Sequence, residues 1–292
     1  MEKKTERKNN HVVLLLLDGF GIAPDGEGNA LSKAKMPFFR ELLAKYPSAN
    51  LKIPLARGQK IADPISCYSA LGSGSLSAKN KNISFLNTLT LAEKKWCLLA
   101  ESERIVLSSF FLNGRKKASV ANCFFGKQER ISSKYSPLTK IISEIPNELI
   151  KRVKTGTYNF IGAFMSDLET SSRSGDFQLT IQTAEEIDHY LKKITKAVLE
   201  KGGVMLLSSA FGKAEDTLDV KTDQANKSNT INNIPLIIIG KEFEGKTLGF
   251  PETPGDDLSS RPSIGSLADI APTIITLLNA GSIEEFEGKN LI

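Results

Sequence analysis

An α/β sandwich built on a mostly parallel central sheet is the fold this sequence predicts, and three observations predict it. Short apolar runs recur along the chain, amphipathic stretches lie between them, and turn-forming or polar residues flank the runs. A continuous apolar run, unlike an alternating one, suits a strand covered on both faces. Strands that alternate with helices stack as layers with the sheet in the middle.

Five runs read as strands: Val12–Leu17, Ile105–Leu112, Tyr158–Phe164, Val204–Leu207 and Pro235–Ile239. Between them, residues 37–46 carry Phe38, Leu42 and Leu43 at helical spacing. The clearest helix is Phe177–Glu200, with a stripe of Ala184, Ile187, Leu191, Ile194 and Val198. Gly202 and Gly203 end it. A third helix spans Leu267–Leu278, with Ser266 and Asp269 spaced as a capping box and Gly281 just past the end. Residues 72–81 are rich in Gly, Ser and Lys, and 216–233 are polar, so both read as loops.

Bulk composition narrows the function. A chain of 292 residues can hold one large core or two modest domains, and 40% apolar residues exclude a disordered chain. The net charge of +5 comes partly from the first ten residues, MEKKTERKNN, read as a charged tail, and partly from Arg115, Lys116 and Lys117, read as a hairpin tip. No dense basic stripe with interleaved aromatics is present, so no nucleic-acid partner is expected. Cys67, Cys97 and Cys123 form no CxxC pair, which speaks against a disulfide framework or zinc site and for a reducing, cytoplasmic location. The run HVVLLLLD (11–18) is too short for a membrane span and leads into no cleavage site.

Ligands of open α/β sheets bind outside the carboxyl ends of the strands. Asp18 follows the first run and is itself followed by Gly19 and Gly21. A carboxylate there is placed to hold a cation, or simply to cap a turn.

The residues around Asp18 say more. The segment LLLLDGFGIAPDGEGNALSKAKMPFFRELLAKYP (14–47) resembles the opening of the cofactor-independent phosphoglycerate mutases, a branch of the alkaline phosphatase superfamily. Further segments agree in order: AESER (100–104) with FFLNG (110–114), GDF (175–177), LADIAPTI (267–274) and GKNLI (288–292). The resemblance implies an alkaline-phosphatase-like three-layer sandwich. It also implies the glycolytic isomerase chemistry of that family, in which two divalent cations, usually manganese, activate a serine nucleophile.

The chain departs from that pattern where the chemistry lies. Carried over from the resemblance, Ser69 in CYSALGS (67–73) takes the nucleophile's place, and Arg104 stands at a phosphate-neutralising lysine. By spacing alone Arg104 reads equally as an ion-pair partner of Glu101. The family's DHGNAE motif reads AFGKAE (210–215), so Ala210 and Phe211 replace a metal-binding Asp–His pair. Its DMVGHTG motif reads ETSSRSG (169–175), with Glu169 at the aspartate and Arg173 at the histidine, and Asn229 stands at a third ligand histidine. Only two histidines exist in the chain, and both read as bland: His11 before the first strand and His189 on the solvent side of its helix. The family's inserted transferase domain, which would lie between about 73 and 99, has no room here. The expected organisation is therefore a tail, 1–10, and a single phosphatase-like domain, 11–292.

These departures imply a catalytically inactive homologue with a binding or regulatory role toward a protein or a small phosphorylated ligand, with no membrane partner and no cofactor. Should a metal site survive, Asp18, Ser69 and Glu169 are its candidates, for manganese or magnesium. The alternative is an active phosphoryl-transfer enzyme, a mutase or phosphatase, using that reduced site or a partner chain.

Overall fold

A computed structural model describes residues 11–76, 83–101, 112–113, the strand 123–126, 142–222, 224–249 and 257–292. At its centre is β1 (Val12–Leu17), six apolar residues that are all buried. Successive side chains point to opposite faces, so a strand without a polar residue needs cover on both. It lies parallel to β5 (Phe160–Met165) on one side and β6 (Val204–Ser208) on the other, with Val12 opposite Phe160 and Val204. Beyond β5 come β3 (Trp96–Glu101) and β4 (Cys123–Gly126), both parallel. Beyond β6 come β9 (Ile234–Ile239), β2 (Ser48–Lys52) and β10 (Ser263–Ser266), completing among the described residues eight strands in the order β10-β2-β9-β6-β1-β5-β3-β4. β9 runs antiparallel to both its neighbours, the exception in a mostly parallel sheet. β7 (Leu218–Asp219) and β8 (Gln224–Ala225) pair as a small separate hairpin within the expected 216–233 loop.

Helices cover both faces. One layer holds α1 (Ala30–Lys33), α2 (Pro37–Lys45), α5 (Ile145–Thr155), α6 (Asp167–Ser174) and α7 (Phe177–Glu200), the others packing on α7. The other holds α3 (Pro64–Ser73), α4 (Phe85–Leu91) and α8 (Ile270–Leu278), in mutual contact. The expected stripe of α7 is buried, and so is Asp188 on the same helix. Asp188 accepts the free backbone N–H groups of Phe38 and Phe39 at 3.0 and 2.7 Å, capping α2 where Met36 supplies no side-chain cap.

Several expectations need correction. The strand expected at Tyr158–Phe164 is Phe160–Met165; the Tyr158 carbonyl instead accepts a hydrogen bond from His11 Nδ1 at 2.8 Å. Gly72, expected in a loop, lies in α3, which continues to Ser73 and ends on left-handed Gly74. The Ser266–Asp269 capping box is present but opens a 3₁₀ turn, Leu267–Asp269, before α8 begins. α8 ends on Asn279 in the left-handed region (φ 48°), two residues ahead of Gly281. The strand expected at 105–112 lies outside the described residues except for Leu112, as do the tail and Arg115, Lys116 and Lys117.

Candidate functional site

The carboxyl ends of β5, β1 and β6 form one rim, and backbone bonds knit it together. Asp18 N–H donates to Met165 O at 2.9 Å, and Glu169 N–H donates to Asp18 O at 3.0 Å. Gly19 N–H donates to Phe211 O at 3.0 Å, and Thr230 N–H to Gly212 O at 2.9 Å. Gly19 has φ 94°, and a Cβ there would stand 2.9 Å from Glu169 N, so only glycine lets the chain leave β1 this way. Asp18, Ala210, Phe211, Glu169 and the segment leading into β9 therefore share one end of the sheet.

Asp18 is fully buried, and its Oδ2 accepts a hydrogen bond from Tyr68 OH at 2.5 Å. Tyr68 and Ser69 are adjacent on α3, so their side chains leave the helix in different directions. Tyr68 is fully buried and Ser69 half-buried. The start of α3 is occupied by its own N-cap: Asp63 accepts from the backbone of Ile65 and Ser66 at 3.3 and 3.0 Å. Burial, with Asp18 and Asp63 nearby, pushes the Cys67 thiol well up, so it stays protonated and unreactive.

Beside this pair, two residues of α6 meet a third from the loop before β9. Arg173 Nη2 donates to Glu169 Oε1 at 2.5 Å and to Asn229 Oδ1 at 3.3 Å. Asn229 Nδ2 in turn donates to Ala62 O at 3.3 Å, just ahead of α3. Glu169 is buried, while Arg173 keeps part of its side chain in solvent.

Two buried charges follow Gly212. Lys213 is fully buried and donates to the carbonyls of Asn226 and Ser228 at 2.9 and 3.3 Å, holding the loop that carries Asn229. Burial and then the Arg173 charge push its pKa down to about 8, against the pull of Glu215 and Asp216. Glu215 accepts from Gly21 N at 3.1 Å, from Asn232 Nδ2 at 3.1 Å and from Thr230 Oγ1, tying the loop after β1 to the loop before β9. Its burial raises its pKa in spite of those donors.

A second acid pair closes the far side of the rim. Glu101, the last residue of β3, and Asp167, just past β5, are both buried. Asp167 accepts from Ser143 N at 2.6 Å and from Ser143 Oγ at 3.1 Å. Burial, and then the Asp167 charge, push Glu101 up to about 7, and burial raises Asp167 as well. Arg104 lies outside the described residues. The histidines lie off the rim. His11, at the opposite end of β1, is buried with its pKa lowered chiefly by that burial, and His189 is exposed on α7.

The sequence profile of the metalloenzyme superfamily matches residues 10–281. The chain belongs to the metalloenzyme superfamily. A 2,3-bisphosphoglycerate-independent phosphoglycerate mutase of Methanosarcina barkeri is 27% identical over 197 residues, 66% of this chain and 34% of the mutase. The chain thus spans about a third of the length of the relatives it matches. In fold, the phosphoglycerate mutase of Leishmania mexicana matches 72% of this chain and 39% of its own, with a TM-score of 0.54 and 18% identity. The alkaline phosphatase of the Antarctic bacterium TAB5 matches more evenly, 94% of this chain and 99% of its own, with a TM-score of 0.63 and 11% identity. These likenesses establish an alkaline-phosphatase-like α/β fold.

Membership of a metalloenzyme superfamily implies a metal centre, and the chemistry of the side chains at the rim bears on that role. The side chains of Ala210 and Phe211 have no lone pair to offer. Phe211 is fully buried and fills its position with an apolar ring. Arginine is a donor only, and the Arg173 guanidinium already sits on Glu169. Asp18 is engaged by the Tyr68 hydroxyl. Among the described residues, no three His, Cys, Asp or Glu side chains stand close enough together to hold a metal ion. Tyr68, Lys213 and the Glu101–Asp167 pair are the rim residues that sequence reasoning missed. Lys213 left a trace, as the lysine in AFGKAE where the resembled motif carries asparagine, and Glu101 left one within AESER.

Proposed function

We propose that this chain is a phosphoglycerate mutase-like member of the superfamily that has given up two-metal phosphoryl transfer and acts by binding, as a regulatory or assembly partner of a protein or a small phosphorylated ligand. One observation carries the reading: of three positions where the resemblance expects metal ligands, Arg173 donates hydrogen bonds to the other two, Glu169 and Asn229. Carboxylates gathered at one rim repel each other unless a cation lies between them. Here a guanidinium supplies positive charge at Glu169, and it would have to leave before a metal could enter. Removing one charge-stabilising donor from an active site lowers a rate on the order of a hundred- to a thousandfold, and here several ligand positions differ at once.

The test is the metal content of protein purified without chelators, measured beside phosphoglycerate mutase and aryl phosphatase assays. The expected result is far less than one manganese, zinc or magnesium ion per chain, with no turnover above buffer. Stoichiometric metal together with turnover that disappears in Ser69→Ala would overturn the proposal and establish a phosphoryl-transfer enzyme working from Asp18, Ser69 and Glu169.

A further inference from the structure

A cleft separate from the charged cluster at the rim opens between the loop after β1, helix α2 and residues 257–259, and encloses about 430 Å³. That volume suits a small organic molecule. Its floor is apolar. Phe20, Phe39 and Leu43 are buried, and the two phenyl rings lie 4.9 Å apart, tilted by 39°. A third flat apolar group can pack against such a pair.

Both walls are fixed in advance by buried asparagines. Asn29 Nδ2 donates to Ala23 O and Pro24 O at 3.4 and 3.0 Å, holding the loop on one side. Asn50 Nδ2 donates to Leu258 O and Arg261 O at 2.7 and 2.8 Å, holding the segment on the other. A site that is already shaped loses little entropy when it is filled.

The mouth carries charge of both signs. The side chains of Arg40 and Asp25 are exposed and make no hydrogen bond or ion pair among the described residues. Asp257, also exposed, accepts among the described residues only the backbone N–H of Ser259, at 2.8 Å. One cation beside two anions disfavours a dianion such as a phosphate monoester. A guanidinium fork matches a carboxylate, and the two aspartates match an ammonium group.

We propose that this cleft binds a zwitterionic small molecule with an apolar body, the chemistry of a free amino acid with an aromatic or branched side chain. The carboxylate lies toward Arg40, the ammonium group toward Asp25 and Asp257, and the apolar body on Phe20 and Phe39. None of these residues belongs to the cluster of Asp18, Glu169 and Arg173, so the proposal is independent of whether phosphoryl transfer has been lost.

Isothermal titration of the full chain with L-tryptophan tests it, beside tryptamine, which lacks the carboxylate, and indole-3-propionate, which lacks the ammonium group. The expected result is saturable binding of L-tryptophan with a Kd of about 0.1–1 mM, and each analogue weaker by about tenfold or more. Arg40→Gln, a surface change, weakens L-tryptophan by about tenfold and leaves tryptamine unchanged. No saturable binding up to the solubility limit, equal affinity for all three compounds, or an unchanged Kd in Arg40→Gln would each overturn it.

Discussion

The Arg173 guanidinium lies 2.5 Å from Glu169 and 3.3 Å from Asn229, so one side chain of α6 joins the helix that carries it to the loop entering β9. Through Asn229 the contact continues to Ala62, at the start of α3. The strut thus connects the two helical layers over the end of the sheet.

Arg173→Ala is expected to lower stability by about 1–2 kcal/mol, read from urea unfolding. The Arg173 side chain is 52% exposed, which limits what the charge pair contributes, but that of Glu169 is only 4% exposed and loses a donor. Adding Glu169→Gln should recover part of the loss. If Arg173→Ala leaves the unfolding midpoint where it was, the strut has no mechanical role.

Tyr68 and Ser69 are separable by mutation. Tyr68→Phe removes the hydroxyl that donates to buried Asp18 and should cost about 1–3 kcal/mol. Ser69→Ala, on a half-buried helix position, should cost clearly less. The reverse order in thermal unfolding would contradict the orientation of α3 described above.

Phe211→Ala should be among the most damaging single changes at the rim, at about 3–5 kcal/mol, because a fully buried ring leaves a cavity that the surrounding strands cannot collapse. A loss under about 1 kcal/mol would mean that the ring fills no space the fold depends on. By contrast, EDTA should leave the melting temperature of the unmutated protein unchanged, since side-chain charges hold the rim.

Glu101 gives the fold a pH dependence of known sign. Its pKa is raised from 4.5 to about 7, so between those values the folded state keeps a proton that the unfolded chain has released. Its contribution to stability is therefore greatest below about pH 4.5, falls as pH rises toward 7, and levels off above that. Glu101→Gln should remove this slope and raise stability at pH 8 by about 1–3 kcal/mol, with the two proteins converging at the acid end. Parallel stability–pH curves for the two proteins would show that Glu101 carries no such shift.

What could be read from the chain depended on whether local pattern or tertiary pairing decides a residue's place. β1, β6 and β9 were legible as continuous apolar runs, and α7 because its apolar stripe matches the helical period. β2 (SANLK) and β10 (SIGS) carry Ser, Asn and Gly and follow no such pattern; pairing makes them strands, and Asn50 is buried only because two loop carbonyls accept its amide. The same holds at the rim. Asp18, Glu169, Arg173, Ala210, Phe211 and Asn229 could be placed through the order of family-like segments. Tyr68 could not, since an aromatic on a buried helix looks like ordinary core. Glu101 and Asp167 lie far apart in the chain, and the register that sets Ala100 beside Phe164 is what makes them neighbours.

The reversed direction of β9 divides the molecule in a way useful to the experimenter. Because this strand runs against β6, it serves the rim with its entrance, through Asn229 and Thr230, and departs at the opposite end of the sheet. The turn that follows, Glu244, Gly245 and Lys246, is exposed, with Gly245 at φ 73° and open space where a side chain would be. It is a natural place to splice a peptide tag or a fluorophore, a full strand length from the residues whose contacts are to be measured.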